Sequence, residues 1–221
     1  MQMMDFAAAR HFMVEGQVRT NRVTDDLLVD AMESIAREDF LPDALKPRAY
    51  IDEDITVAPG RILMEPMVLA RLLQAAEIKN TDLCLVAASA TGYEVACMVS
   101  MASTVVAIES NVDLASASEE ILKTIGADTA TIVKGDITKG HPAHAPFDVI
   151  FINGAVSEVP KALVKQLAEG GRLVCVVAPQ GHVPGKATLV TVREGVASER
   201  QIFDANIPKL PEFTKAPTFS F

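Results

Sequence analysis

The sequence predicts an α/β fold in which a doubly wound, mostly parallel sheet follows N-terminal helices and ends in a C-terminal antiparallel hairpin. Three observations predict it: short apolar runs alternate with helical patterns from residue 82 onward, cap residues bound the helices, and two β-rich segments near the C-terminus flank a turn. With 221 residues and 49% hydrophobic content, the chain can bury one sizeable core. We therefore expect a single domain over residues 1–221.

The domain begins with a helical extension, residues 1–60. Helical patterns cover residues 5–15 and 25–37, and Thr24 is the expected N-cap of the second helix. The second pattern places five apolar residues on one face: Leu27, Leu28, Ala31, Met32 and Ile35. Residues 38–61 are rich in Pro and Asp and predict an irregular stretch, after which Pro66 suits the first turn of a helix over residues 67–76.

The core, residues 61–206, carries the alternation of strands and helices. Five apolar runs predict parallel strands: residues 82–87, 104–109, 130–134, 148–153 and 172–178. Three helical patterns accompany them: residues 93–101, 112–125 and 160–168. Asn111 is the expected N-cap of the second of these helices, and Gly126 its stop. Finally, residues 187–193 and 198–204 flank Glu194-Gly195 and predict the antiparallel hairpin.

The C-terminal tail, residues 207–221, is punctuated by prolines, which exclude a regular helix. It carries three late aromatic residues, Phe213, Phe219 and Phe221. We expect this tail to pack back onto the domain or onto a second subunit, because exposed aromatic side chains beside prolines favour a covered position; the alternative is a partly disordered tail. A homo-oligomer would form through the tail or through the N-terminal helices.

Composition excludes several classes of partner. The net charge of -9 and the absence of a Lys/Arg run with interleaved aromatics argue against a nucleic-acid ligand. No apolar run approaches the ~18 residues that a membrane span needs, so we expect a cytoplasmic protein without a membrane partner. Cys84, Cys97 and Cys175 lie in apolar segments without metal-ligand spacing, which predicts buried reduced thiols and no metal site.

The segment CLVAASATGYEVA, residues 84–96, stands where an α/β fold places its nucleotide loop. Ala88 and Ala90 occupy the first two glycine positions of a G-x-G-x-G turn, and Gly92 keeps the third. Each alanine in a left-handed conformation costs on the order of 1 kcal/mol, so the loop must change shape or tolerate strain. Val86, two positions before Ala88, stands where an acidic residue would accept a hydrogen bond from a ligand amine.

Several further segments carry a family resemblance in matching order and spacing. They are ARED-FLP (36–42), Ala49-Tyr50 with Asp52, GRILMEPMVLA (60–70), Gly135-Asp136, APFDVIFI (145–152) and VP-x-x-L-x-x-QL-x-x-GGRLV (159–174). Together with the loop they resemble the protein-L-isoaspartate O-methyltransferase family. The resemblance implies a Rossmann-like methyltransferase sheet, S-adenosylmethionine as cofactor, and methylation of isoaspartyl carboxylates on protein or peptide substrates for protein repair.

The resemblance also implies a cofactor site. Glu109, at the end of the second predicted strand, matches the family's acid that accepts hydrogen bonds from the cofactor ribose. Asp136 matches the position near the adenine, where a carboxylate accepts from the exocyclic amine. Gly92, Ala88 and Ala90 match the cofactor loop itself.

On the substrate side the match is weaker. The family has Thr and Ser hydroxyls that help to hold the isoaspartyl carboxylate, and Ile62 and Met64 stand at those positions, so no catalytic residue is assigned. Carboxyl methylation relies mainly on positioning of the carboxylate oxygen, and lost hydroxyls mean lost orientation. Candidate substrate contacts are Met64, Arg61, which can pair with a carboxylate, and Glu65, which would repel one; the alternative is that Arg61 and Glu65 are solvated surface residues at a helix start.

Three hypotheses for the function follow. The first is an S-adenosylmethionine-dependent protein carboxyl methyltransferase that acts on isoaspartyl residues. The second is a catalytically degenerate relative that keeps the fold as a binding or assembly module, which Val86, Ala88, Ala90, Ile62 and Met64 favour. The third is a methyltransferase with a less polar acceptor, accommodated by the apolar surface around Ile62 and Met64.

Overall fold

A seven-stranded sheet forms the centre of the protein in the computed structural model, which describes residues 4–179 and 184–214. Its strands are β3 (Leu83–Ala87), β4 (Thr104–Glu109), β5 (Ala130–Lys134), β6 (Phe147–Val156), β7 (Leu167–Val177), β8 (Lys186–Arg193) and β9 (Val196–Asp204). They lie in the order β5-β4-β3-β6-β7-β8-β9. Strands β3 to β7 are parallel, and β8 and β9 add an antiparallel hairpin at one edge. The predicted fold class is confirmed.

Helices cover both faces of the sheet because its strands are apolar on both sides. Along β3, Cys84 and Val86 face one hydrophobic cluster, whereas Leu85 and Ala87 face the other. The first cluster is covered by α3 (Pro66–Ala75), α4 (Tyr93–Val99) and α5 (Val112–Thr124), and the second by α6 (Lys161–Val164). All three cysteines are buried and unbridged, as expected. In the described part of the chain, no helix is long and apolar enough to cross a membrane.

Local signals place α5 correctly and α6 only in part. The Asn111 side chain accepts hydrogen bonds from the N–H groups of Asp113 and Leu114, so the predicted cap is confirmed. The predicted helix over residues 160–168 is wrong beyond Val164, because Leu167 pairs with Phe147 and the chain has already joined the sheet. Strand pairing overrides the local helical pattern there.

Both predicted N-terminal helices are present, but their bounds, one N-cap and one buried face differ from the prediction. The first, α1 (Phe6–Met13), continues through a π turn to Val18. The second is α2 (Asp26–Ser34), and its N-cap is Asp25, whose carboxylate accepts from the N–H of Leu28; the prediction of Thr24 is wrong. Leu27 is 57% exposed and does not belong to the buried face, which consists of Leu28, Val29, Ala31 and Met32.

A short hairpin replaces part of the predicted irregular stretch. Strands β1 (Ile55–Ala58) and β2 (Arg61–Leu63) pair antiparallel, with Thr56 opposite Ile62. Helix α3 then begins at Pro66, one residue before the predicted start, and proline occupies its first turn as predicted, because proline lacks the N–H that this turn leaves unpaired. Arg61 therefore lies in a paired β-strand and not in an irregular loop.

The chain returns to the sheet after β9 as a segment that we call the strap, residues 207–214. The N–H of Ala155 donates to the Pro208 carbonyl at 2.9 Å, and the N–H of Leu210 donates to the Ala155 carbonyl at 2.9 Å. Ile207 and Leu210 are buried. Packing of the tail onto its own domain is thus confirmed for the strap, whereas Phe219 and Phe221 lie outside the described residues.

Candidate functional site

The loop between β3 and α4 keeps the left-handed backbone of a nucleotide loop although two of its glycines are alanines. The φ angles are 64° at Ala88, 46° at Ala90 and 89° at Gly92. The loop therefore tolerates the strain and keeps its shape, and both alanines are buried. At Gly92 space also matters, since a Cβ there would collide with the Ser118 hydroxyl. The loop is compatible with the close backbone approach that a cofactor needs.

Glu109 ends β4 beside this loop and is completely buried. Its Oε2 accepts from the N–H of Ala90 at 2.8 Å, and its Oε1 accepts from the N–H of Asn111 at 2.8 Å. These two backbone donors fix the carboxylate at the carboxyl end of the parallel strands, where α/β proteins bind nucleotides.

Arg61 fills the space in front of Glu109. Its Nε lies 2.9 Å from each carboxylate oxygen, and its side chain is 3% exposed. The prediction that Arg61 is a solvated surface residue is therefore wrong. The other end of the guanidinium contacts Glu212 of the strap, with Nη2 2.7 Å from Oε1. Burial lowers the pKa of Arg61, but the hydrogen bonds to Glu212 and the charge of Glu109 outweigh it, and the net pKa is raised.

Buried polar atoms without partners lie at the same edge of the sheet. In the described part of the chain they include the Ser89 hydroxyl, Glu94 Oε1 and both polar atoms of the Asn153 side chain, and these three residues are at most 3% exposed. Glu94 is in the first turn of α4 and Asn153 lies in β6, which neighbours β3. Burial raises the pKa of Glu94 to about 8, and the charge of Glu109 adds to this effect. The Glu94 carboxyl is thus largely protonated at neutral pH.

Asp136 follows β5 at the neighbouring strand end, where the N–H of Gly135 donates to the Glu109 carbonyl at 3.0 Å. The residue is exposed. Its Oδ1 accepts from the backbone N–H and the hydroxyl of Thr138, and Lys139 lies 3.1 Å from its Oδ2. The hydroxyl of Thr138 is the main reason that the pKa of Asp136 is lowered. Asp136 is therefore an ionised acceptor at the edge of the site.

The segment that matches the family's acceptor region is mostly core. Ile62 is 4% exposed and Met64 2% exposed, so neither presents a substrate surface in this state. Glu65 is half-buried, its N–H donates to Asp54 Oδ1 at 2.9 Å, and burial, with the charges of Asp54 and Asp52, raises its pKa to about 7. Repulsion of a substrate carboxylate by Glu65 is accordingly weaker at neutral pH than the sequence predicts.

Several residues near the site were not predicted to take part: Ser89, Ser110, Arg37, Glu94, Asn153 and Glu212. Arg37 is completely buried, donates to the carbonyls of Ala49 and Met64, and lies over the Tyr93 ring at 4.8 Å. It thereby ties β2 to the start of α4. An acid within the apolar run of α4 was a usable signal for Glu94, whereas Glu212 gave none, since it is 151 residues from Arg61.

Fold and site together define a protein of the Rossmann-like methyltransferase class. Residues 9–195 match the family model described as Protein-L-isoaspartate(D-aspartate) O-methyltransferase (PCMT). The chain belongs to this family.

Relatives and solved structures agree with the family. A protein-L-isoaspartate O-methyltransferase of Koribacter versatilis (strain Ellin345) is 36% identical over 169 residues, which cover 76% of each chain. One of Methylorubrum populi is 36% identical over 188 residues, covering 85% of this chain and 87% of the relative. A Plasmodium falciparum structure, described as a beta-aspartate methyltransferase (PCMT) in complex with S-adenosyl-L-homocysteine, superposes with a TM-score of 0.77 at 21% identity, covering 92% and 98% of the two chains.

The residues of the site suit S-adenosylmethionine in their chemistry. Glu109 offers a fixed carboxylate for a ribose diol, and the unpartnered atoms of Ser89, Glu94 and Asn153 are hydrogen-bonding groups that a polar ligand would satisfy. Arg61 is the obstacle, because it occupies the face of Glu109 that a ribose would use. The hydrogen-bonding groups of the site fit the cofactor once the Arg61 side chain moves away from Glu109.

Proposed function

We propose that the protein is an S-adenosylmethionine-dependent methyltransferase that methylates the carboxylate of isoaspartyl residues in protein or peptide substrates. The observation that carries this proposal is Glu109, a buried acid at the end of β4 whose two oxygens are oriented by the N–H groups of Ala90 and Asn111. Family membership supports the same function.

Each residue of the site is expected to contact a different part of the cofactor. Glu109 accepts from the ribose hydroxyls, Asp136 from the adenine amine, and the left-handed turn at Ala88, Ala90 and Gly92 brings the backbone close to the cofactor. When bound, the cofactor supplies an electrophilic methyl group. The chain has only to orient the substrate carboxylate, which is already a nucleophile when ionised.

Orientation of the substrate has to come from groups other than the family's hydroxyls. Ile62 and Met64 offer none, and they are buried. Glu65 beside them is half-buried and, with its pKa raised to about 7, donates a hydrogen bond from its protonated form. We expect Glu65 to act in this way, and the methylation rate should then fall as pH rises above about 7, because the donor is lost.

The alternative hypothesis of a non-enzymatic binding or assembly module has no support from the relatives and would require one feature of the site to be permanent. Arg61 and Glu109 form a buried ion pair in the place that a ribose would occupy. If that pair is permanent, the fold is retained and the cofactor is excluded.

Calorimetric titration with S-adenosylhomocysteine separates the two candidates, provided that co-purified ligand is removed first. Micromolar binding, followed by methyl transfer to an isoaspartyl peptide and none to the matched aspartyl peptide, supports the enzyme. Glu109→Ala should weaken binding about 100-fold, whereas Glu120→Ala, which removes the same charge from an exposed position on α5, should not. No binding at millimolar ligand would leave the non-enzymatic module.

A further inference from the structure

Arg61 and the ribose hydroxyls require the same positions on Glu109. A carboxylate accepts about four hydrogen bonds, two on each oxygen. Here Oε1 accepts from Asn111 and Arg61, and Oε2 accepts from Ala90 and Arg61. The single Nε–H of Arg61 is shared between both oxygens, so three N–H groups cover the carboxylate and Arg61 lies across the side that the two backbone donors leave open. Departure of Arg61 would free one position on each oxygen, which is what the two neighbouring hydroxyls of a ribose need.

A second acid holds Arg61 from the outside. Glu212 contacts the guanidinium through both oxygens, with Oε1 2.7 Å from Nη2 and Oε2 3.3 Å from Nη1. Ser110 closes the arrangement, since its Oγ accepts from Nη2 at 2.7 Å and donates to Glu212 Oε1 at 2.8 Å. The Gly60 carbonyl accepts from Nη1 at 2.9 Å. Arg61 is thus clamped between a buried carboxylate and a partly exposed one.

The strap brings Glu212 to this position by close packing on glycines. A Cβ at Gly154 would lie 2.6 Å from Leu210 Cγ, and a Cβ at Gly60 would lie 2.6 Å from Pro211 Cδ. Leu210 is 2% exposed, whereas the side chain of Glu212 is 31% exposed. Buried Leu210 anchors the strap, and the more exposed Glu212 contacts Arg61. Of the two acidic contacts of Arg61, the one with Glu212 is therefore the one that can break more easily.

We propose that Arg61 competes with the cofactor's ribose for Glu109, and that Glu212 of the strap holds Arg61 in the competing position. This inference rests on the proposed function, because the competitor is the cofactor of that function. It makes Arg61 a residue that sets cofactor affinity, and it makes the strap the element that must loosen when the cofactor binds.

Calorimetric affinity for S-adenosylhomocysteine tests the competition. Arg61→Ala should bind about tenfold more tightly than the wild type, because the ribose no longer has to displace a charge-assisted hydrogen bond. Arg61→Lys should return most of the way to wild-type affinity, since an ammonium still pairs with Glu109. Glu212→Ala should tighten binding by about threefold, through loss of the outer clamp alone. Glu120→Ala, the same charge change on exposed α5, should have no effect.

Two further readouts separate competition from a merely structural role. The KM for S-adenosylmethionine should fall in Glu212→Ala while kcat stays within about twofold. Hydrogen exchange in the wild type should show that saturating S-adenosylhomocysteine lowers the protection of the Phe213 and Thr214 amides, which donate to Leu210 and Pro211 in the closed strap. These readouts also cover the case in which Arg61→Ala does not fold.

The outcomes distinguish this inference from the function on which it rests. Wild-type binding with equal or weaker affinity in both Arg61→Ala and Glu212→Ala overturns the competition and leaves the methyltransferase proposal intact. No binding at millimolar ligand in the wild type and in either variant overturns the proposed function, and the competition with it.

Discussion

At the ribose end of the candidate site, three N–H groups already cover the Glu109 carboxylate, whereas beside β6 the buried amide of Asn153 lies near the Glu94 carboxyl without a hydrogen bond of normal geometry to any described residue. A buried polar group left unpaired costs about 1–3 kcal/mol, and a group that a buried donor covers must lose that contact before a ligand can reach it. A ligand that reaches both regions therefore gains new hydrogen bonds at Asn153 and must displace Arg61 at Glu109.

The largest effect is expected at Glu109, the end of the site that Arg61 covers. Glu109→Ala leaves Arg61 buried without its inner partner, and removal of one member of a buried pair lowers the free energy of unfolding by about 3–5 kcal/mol. Loss of two hydrogen bonds to a charged acceptor should also weaken S-adenosylhomocysteine binding about 100-fold. Denaturant unfolding and calorimetry measure the two effects, with exposed Glu119→Ala as the control. Unchanged affinity would remove the ribose assignment.

A pH-dependent effect is expected at the unpartnered end. Because the pKa of Glu94 is raised to about 8 in the folded state, the folded protein binds this proton more tightly than the unfolded chain. The contribution of Glu94 to the free energy of unfolding is fully present below the unfolded pKa of about 4.5. It is lost as pH rises toward 8, by about 1.4 kcal/mol per pH unit.

Glu94→Gln tests this slope, because glutamine keeps the shape and cannot ionise. Between pH 5.5 and pH 7, the wild type should lose about 2 kcal/mol of unfolding free energy relative to Glu94→Gln. Urea unfolding of both proteins at the two pH values measures the difference, and the titration of all other groups cancels. Parallel pH profiles would show that Glu94 is ionised in the folded state and would contradict its assignment as a protonated group.

The smallest effect concerns the loop between the two ends. Ala88 has a φ of 64°, which glycine adopts more readily, while neighbouring Ala87 lies in β3, where glycine is disfavoured. Both are completely buried, so each glycine variant deletes the same methyl group from the interior. Ala88→Gly should therefore be about 1 kcal/mol less destabilising than Ala87→Gly in urea unfolding. Equal losses would mean that Ala88 carries no strain.

Elements with strong local signals could be predicted from the sequence. Strands β4 and β5 agree with the predicted bounds because each is a short apolar run between turn residues, and Asn111 caps α5 through its own side chain. Elements decided by tertiary pairing could not: the predicted helix after Pro160 yields to pairing of β7 with β6.

The same division holds within the site. The position of Glu109 follows from its place at a strand end, and the spacing of Ala88, Ala90 and Gly92 locates the loop, although the sequence left open whether its backbone stays left-handed. The prediction that Arg61 is a solvated surface residue is wrong, because its two acidic partners lie 48 and 151 residues away and no local pattern records them. A charged residue before an apolar helix indicates a surface position unless the fold supplies a buried partner.

The most direct test of the central claim is a double-mutant cycle between Arg61 and Glu109, with calorimetric affinity for S-adenosylhomocysteine measured in the wild type, both single variants and the double variant. If the two residues are linked by competition, Arg61→Ala tightens binding about tenfold when Glu109 is present and has no effect when Glu109 is already alanine. A gain of the same size in both backgrounds, or none in either, would contradict the claim that Arg61 acts by occupying Glu109.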